Sequence, residues 1–333
     1  MEDDRITLAH GNGGRFMREL IDEVFARHLG QAGLDTDADA APIDLGDGEV
    51  IITTDGFIVQ PLEFPGGDIG SLAVHGTTND LAVAGGRPRF LTLNAFIEEG
   101  LEVKVLDRLV ASMAKAARHA GVVICAGDTK VVRRGEGGGV YFATTGVGVR
   151  LPGTRPAIRR IREGDVILVS GTVGDHGTAV MLAREEFGLR GKLLSDAGPV
   201  MALTEPLLAL DGLRFMRDPT RGGIASIAHE IRRATGLGVT FEPTIPVKEQ
   251  VQSVCDMLGY DPYYLACEGR VVAVVAPEQA PRALAMWRSL PEGCDAARIG
   301  RITAPHGRVL LETALGGERF LEELEDDPLP RIC

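Results

Sequence analysis

The chain has 333 residues, 44% hydrophobic and 25% charged, with a formal net charge of −12 and only 5% aromatics. That balance describes a soluble globular protein long enough for two ordinary cores. It excludes a nucleic-acid surface, which needs clustered Lys and Arg, and no apolar run approaches the length that spans a bilayer.

The acidic start, Met1-Glu2-Asp3-Asp4, is followed by no apolar stretch of the kind a secretory signal carries, so a cytoplasmic location is expected. His10-Gly11-Asn12-Gly13-Gly14-Arg15 opens a helical pattern at Phe16, Leu20 and Val24. Such a loop serves either as a plain turn or as a set of backbone N–H groups facing an anion. Val50-Ile51-Ile52-Thr53-Thr54 reads as a strand and delivers Asp55-Gly56 at its end. Phe64-Pro65-Gly66-Gly67-Asp68 then leads into a helix through Asn79-Asp80-Leu81-Ala82, with Asp68 as its N-cap. Asp80 falls among small and apolar neighbours, where an unpaired carboxylate is costly, so a cation or a polar network is expected beside it.

Leu106, Leu109, Val110, Met113, Ala116, Ala117 and Ala120 mark an amphipathic helix that Gly121 ends. Val122-Val123-Ile124-Cys125 follows as a buried strand whose end presents Gly127-Asp128-Thr129-Lys130, either a ligand-binding carboxylate and ammonium or a local surface ion pair. The glycine-rich Arg133–Gly139 stretch reads as a hairpin tip before a second strand, Val140 to Val149.

A break at Leu151-Pro152-Gly153-Thr154-Arg155-Pro156 divides the chain into domains 1–150 and 151–320, with an acidic tail, 321–333. In the second half, Val166 to Ser170 is a strand and Gly171–Gly177 a glycine-rich turn containing His176, a base, a ligand or a structural histidine. Arg217-Asp218-Pro219-Thr220-Arg221-Gly222-Gly223 precedes a helix with Ile224, Ile227 and Ile231 on one face, and serves as a cap or as an anion and metal site. Tyr263 to Gly269 reads as a strand running into Val271–Val275. Glu268 within it is either a solvated turn carboxylate or a general base whose pKa burial raises.

Five cysteines, at 125, 255, 267, 294 and 333, are odd in number and form no C-x-x-C pair, so neither a disulfide framework nor a zinc knuckle is indicated. Cys333 ends the proline-punctuated acidic tail, either as a frayed end or as a thiol on a tether that enters an active site. No P-loop is present. Asp55, Asp80, Asp128 and Asp218 all lie near glycine-containing strand or helix ends, the arrangement expected if aspartates hold Mg²⁺ and the Mg²⁺ holds a nucleotide's phosphates.

These motifs, with Cys267-Glu268-Gly269 and the terminal Pro330-Arg331-Ile332-Cys333, make the sequence resemble the HypE family of hydrogenase maturation factors over essentially its full length. The wider superfamily includes aminoimidazole ribonucleotide synthetase, selenophosphate synthetase and thiamine-monophosphate kinase. The resemblance implies a two-domain α/β (α+β) subunit of PurM-like ATP-binding architecture, with N-terminal domains pairing through their sheets in a homodimer, a C-terminal α/β domain and a mobile tail. It implies ATP and Mg²⁺ as cofactors, bound by Gly11, Asn12, Gly13, Gly14, Asp55, Asp80, Asp128, Asp218, Thr220 and Gly222, the four aspartates also holding metal. In the family, the carbamoyltransferase HypF loads the terminal thiol, HypE dehydrates the carboxamide to a thiocyanate with ATP, and the cyanide passes to iron on the HypC–HypD complex. Cys333, Lys130 and Glu268 are the catalytic residues so implied, the last two in a buried setting. Two other readings remain at this level: a superfamily enzyme phosphorylating a small molecule, and a non-catalytic carrier.

Overall fold

A computed structural model describes residues 4–11, 15–30, 41, 43–184, 192–305, 307–313 and 315–324. Two compact units form: one runs through Leu81 and includes Gly86–Arg150, and the other joins Ala82–Gly85 to the chain from Leu151 onward.

The first unit begins with helices α1 (Arg15–Leu20) and α2 (Arg27–Leu29), joined by wider helical turns over Ile21–Ala26. Its sheet uses β1 (Val50–Phe57), β4 (Gly86–Glu98), β5 (Val123–Val132) and β6 (Val140–Arg150) in the order β1-β6-β4-β5. Only the β4–β5 pair is parallel. Two short strands, β2 (Glu63–Phe64) and β3 (Gly67–Asp68), precede helix α3 (Ile69–Val83), and α4 (Val103–Ala120) follows β4. Asp68 caps α3 as expected: its carboxylate accepts the Ser71 N–H at 2.9 Å. Gly121 ends α4 in the left-handed conformation, φ 68°. At Gly70 an added Cβ would lie 2.1 Å from the Leu109 carbonyl oxygen, so only glycine lets α3 and α4 approach so closely.

Two expectations change here. Arg133–Gly139 is no hairpin tip, because β4 lies between β5 and β6 and the loop crosses its end. There the Glu98 carboxylate accepts the Gly135 and Gly139 N–H groups at 2.6 and 2.9 Å. Asp128 and Lys130 stand within β5 and not at its end, since β5 continues to Val132.

The second unit is built on a seven-stranded sheet in the order β13-β12-β9-β11-β7-β10-β8. Its strands are β7 (Val166–Val169), β8 (Leu213–Arg217), β9 (Leu237–Phe241), β10 (Val272–Val275), β11 (Ala297–Pro305), β12 (Val309–Glu312) and β13 (Glu318–Phe320). All pairs are antiparallel except β12–β9. Strands β7 and β10 are buried along their whole length, so alternate side chains feed two cores. On one face Val169, Val272 and Val274 pack with Ile224, Ile227 and Ile231 of α7 (Gly223–Thr235). On the other, Leu168, Ala273 and Val275 pack with Trp287 of α9 (Ala280–Arg288). Helices α5 (Asp175–Arg184), α6 (Met201–Thr204) and α8 (Glu249–Leu258) complete the unit. The strand expected over Tyr263–Gly269 is instead a short 3₁₀ turn at Pro262–Tyr264 followed by irregular chain up to β10.

Candidate functional site

In the first unit the polar groups sort by sheet face, as the two-residue period of a strand requires. Asp55 on β1 pairs in register with Thr144 on β6, and Thr144 pairs with Leu93 on β4. This face is covered by α3: Thr77 and Thr144 share a short hydroxyl hydrogen bond, and an added Cβ on Gly76 would stand 3.7 Å from Asp55 Oδ2. Asp80 on α3 meets the same face, its Oδ2 accepting the Thr53 hydroxyl at 2.8 Å. The polar partner that its apolar surroundings demanded is therefore Thr53. Thr53 and Asp55 are two residues apart on β1 and share one face, so Asp55 and Asp80 both lie between that face and α3.

Asp128 lies at a similar level of the sheet, three strand spacings or roughly 14 Å from Asp55. It pairs with Asn94 and projects to the opposite face, together with Lys130, which pairs with Phe96. Lys130 Nζ stands 2.7 Å from Asp128 Oδ2, and this hydrogen-bonded ammonium holds the Asp128 carboxyl below the usual carboxylate range. The expected burial of Lys130 is not found: its side chain is 56% exposed in the single chain. The Leu8–Gly11 turn packs on β5, where an added Cβ on Gly11 would lie 2.8 Å from the Val131 backbone nitrogen. Asn12, Gly13 and Gly14 lie outside the described residues, as does Cys333.

In the second unit, β8 ends at Arg217 and the chain turns through Asp218 into α7. Thr220 N–H donates to the Asp218 carbonyl at 3.0 Å, and Gly222 and Gly223 take positive φ of 71° and 57°. At Gly223 an added Cβ would meet the Tyr263 and Leu265 carbonyls at 2.5 and 2.7 Å. The loop carrying Glu268 therefore crosses the N-terminus of α7. The Cys267 N–H seals the crossing by donating to the Pro219 carbonyl at 2.9 Å. Asp218 and Glu268, 6% and 2% exposed, are thus brought to one place by segments about fifty residues apart.

A charged cluster behind Glu268 has no local signal in the sequence. Asp175, wholly buried at the start of α5, accepts from Thr172 Oγ1 and Lys248 Nζ, both at 2.6 Å, and faces Arg270 Nη2 at 3.5 Å. Asp196 accepts the His176 and Gly269 N–H groups, both at 3.0 Å. Burial outweighs its cationic neighbour Arg270 and raises the Asp196 carboxyl. His176 proves to be a buried hydrogen-bonding residue, with Nδ1 2.8 Å from Ser195 Oγ. Cys267 Sγ accepts the Gly174 N–H at 3.2 Å, and burial pushes its thiol well above the ordinary value.

Among the described residues no three His, Cys, Asp or Glu side chains converge as a metal cage. The Asp55–Asp80 pair nevertheless suits Mg²⁺, which keeps several waters and usually takes one or two carboxylates together with substrate phosphates. Gly11, Gly222 and Gly223 are required by close protein packing: an added Cβ would meet Val131, Ser226, and the Tyr263 and Leu265 carbonyls respectively. No helix among the described residues is long and apolar enough to cross a membrane.

Comparison with known proteins agrees with this geometry. Residues 37–150 match the AIR synthase related protein N-terminal domain, and residues 162–312 match the C-terminal domain. The chain is 46% identical over 331 residues to the carbamoyl dehydratase HypE of Azotobacter vinelandii, covering 98% of this chain and 97% of that one. It is similar to a crystal structure of HypE in complex with ATP, with a TM-score of 0.92, 44% identity, and coverage of 98% of this chain and 99% of that one. It is also similar to HypE in a HypE–HypF complex, with a TM-score of 0.80, 41% identity, and coverage of 93% and 100%. Two AIR synthase related domains in series, matched end to end by carbamoyl dehydratases, place the chain in the HypE family of hydrogenase maturation enzymes.

Proposed function

We propose that the chain dehydrates an S-carbamoyl group on its own Cys333 to a thiocyanate, using ATP and Mg²⁺, and so supplies cyanide for the iron centre of a [NiFe]-hydrogenase. The single observation that most supports this reading is Glu268, 2% exposed and held against the Asp218 loop, in a chain similar throughout to carbamoyl dehydratases.

The reaction needs the C–O bond of a carboxamide broken and two protons removed from its nitrogen. ATP supplies a phosphoryl group that makes the oxygen a leaving group, and Mg²⁺ neutralises the charge of that transfer. Asp55 and Asp80 are the residues proposed to hold the metal within one protomer, with Asp218 as a further carboxylate; Asp128, on the opposite sheet face, is proposed to serve a site completed across the homodimer. Gly11, Asn12, Gly13, Gly14, Thr220 and Gly222 are proposed to lie against the nucleotide. One nitrogen proton is lost to solvent as the oxygen takes the phosphoryl group, and Glu268 takes the second as the C≡N bond forms and phosphate departs. Lys130, oriented by Asp128, provides the positive charge that steadies the developing anion.

Residues 1–150 are proposed as the ATP-binding and dimerisation domain, 151–320 as the second domain and 321–333 as the arm carrying Cys333. The homodimer is supported by the open face of the four-stranded sheet, which exposes Ile52 (70%), Val50 (49%) and Phe96 (40%). Loading by a HypF-type carbamoyltransferase and delivery to a HypC–HypD complex complete the proposed cycle. A reducing, cytoplasmic setting suits the free thiols Cys125, Cys255, Cys267 and Cys294.

Intact mass after HypF-type carbamoylation, before and after Mg²⁺ and ATP, tests the reading. An adduct that depends on Cys333 and then loses the mass of one water is the expected result. ATP consumption with no adduct, undiminished in Cys333→Ala, would assign the chain to small-molecule phosphorylation instead.

A further inference from the structure

Glu268 lies in irregular chain, yet every neighbour on either side of it is tied down. Cys267 is bonded to the Pro219 carbonyl and to the Gly174 N–H. Gly269 N–H donates to Asp196 Oδ2 at 3.0 Å, and Val271 N–H donates to the Ser170 hydroxyl at 2.9 Å. Arg270 spreads over the remaining acceptors: the Thr172 carbonyl at 3.1 Å, the Glu292 carbonyl at 3.3 Å, and the carboxylates of Asp175 and Asp196 at 3.5 and 3.7 Å. Gly269 leaves no slack, since an added Cβ would lie 1.9 Å from the Asp196 carbonyl oxygen.

We propose that Asp196 and Arg270 are positioning residues that hold the Glu268 backbone in register with the reacting group; this rests on the reading of Glu268 as the base. Stability alone is a poor reason for such a cluster. Burying two carboxylates and most of the Arg270 guanidinium costs desolvation that well-packed apolar residues would not. What the charges add is direction. One Asp196 carboxylate joins the first turn of α5, through the His176 N–H, to the residue next to Glu268. Supporting bonds of this kind fix a functional side chain to within fractions of an ångström.

The test uses the full chain carbamoylated on Cys333 and compares Asp196→Asn, Arg270→Lys and Glu268→Gln with the parent. Single-turnover dehydration at saturating ATP, binding of a non-hydrolysable ATP analogue and thermal melting are measured on each. Asp196→Asn is expected to slow dehydration roughly 10- to 100-fold, in line with the loss of other supporting bonds. Analogue affinity should stay within about twofold, because the change reaches Glu268 and not the nucleotide. Arg270→Lys keeps the charge but not the fork, so it is expected to retain part of the rate. It also carries the test alone if Asp196→Asn does not fold. A parental rate in either folded variant, with Glu268→Gln inactive, overturns the positioning role and leaves the base. A parental rate in Glu268→Gln overturns the base and this inference together.

Discussion

The Tyr264 hydroxyl donates to the Glu322 carbonyl oxygen at 2.7 Å. With the His229 Nε2–H bond to the Leu321 carbonyl at 2.9 Å and the Arg233–Glu323 ion pair, it pins the chain as it leaves the sheet edge. Leu321 itself is 1% exposed. Cys333 then lies ten residue steps beyond Glu323, at most about 33–36 Å of extended chain. Glu268 lies four residue steps beyond Tyr264, so with the Tyr264 side chain the span from Glu322 to Glu268 is roughly 25 Å at most. Removing two residues between 324 and 329 leaves roughly 26–29 Å of reach, above that maximum span, and should keep single-turnover dehydration near the parental rate; removing six leaves about 14 Å and should give the slowest rate of the series. Loss of one water, followed by mass across the deletion series, reads the result. Equal rates at every length would show that the arm does not start from this anchor.

Thr53 holds Asp80 by a single hydroxyl bond of 2.8 Å. Thr53→Val removes a bond worth about 1 kcal/mol and more with a charged acceptor, so Mg²⁺–ATP affinity should fall roughly fivefold or more. Asp80→Asn should lose more, with the loss largest at low Mg²⁺. Calorimetric titration of both variants at two Mg²⁺ concentrations checks this. Affinities independent of Mg²⁺ would remove Asp80 from the metal site.

His75, 7% exposed on α3, has its pKa lowered to about 4, first by burial and then by the neighbouring His119. The unfolded chain takes up that proton below about pH 6.5 and the folded chain only near pH 4, so within that window the unfolded state binds more protons. Stability accordingly falls as pH drops through it, by about 2 kcal/mol at pH 5 from this group. His75→Gln should shrink the Tm loss between pH 7 and pH 5 by roughly 4–8 °C, read by calorimetry. An unchanged loss would place the imidazole's titration elsewhere.

Ile52, at 70% exposure, stands on the edge strand β1 of the open sheet face. Ile52→Lys should convert the proposed dimer to monomer in sedimentation velocity at micromolar concentration, with the monomer's far-ultraviolet circular dichroism unchanged. A dimer that survives Ile52→Lys together with Phe96→Lys would need a different interface.

Much of this was legible in the residues, and what was not has one cause. Local rules were enough for the α4 periodicity, the Gly121 stop, the Asp68 cap and the β-branched strands, because each depends on neighbours within a turn or two. Pairing across distance was not. Nothing near Arg133–Gly139 indicates that β4, some forty residues earlier, would lie between β5 and β6, and a hairpin was the natural local reading. The same gap hid the division of Asp55 and Asp128 between two sheet faces, which depends on register through β6 and β4. Asp196 and Arg270 lie in chain without periodicity, and only the fold brings them against Gly269. Glu268 and Lys130 were candidates from their local sequence with a second reading left open, and family likeness alone assigned their roles. Their surroundings, one buried and one open in the single chain, came from the structure alone.

Cys267 stands next to Glu268 in the sequence and is wholly buried, with its sulfur capped by the Gly174 N–H. The proposed reaction, whose product is a thiocyanate, gives reason to keep such a neighbour quiet. A thiolate attacking the sulfur of an S-cyano group forms a disulfide and expels cyanide, which would spend the product as a free poison and lock the arm to the protein wall. Burial and the adjacent Asp196 charge keep the Cys267 sulfur protonated, and a protonated sulfur is a poor nucleophile. The same enclosure that orders the loop thus acts as chemical insulation, closing this one route by which the proposed cyano group would be lost to a neighbouring thiol.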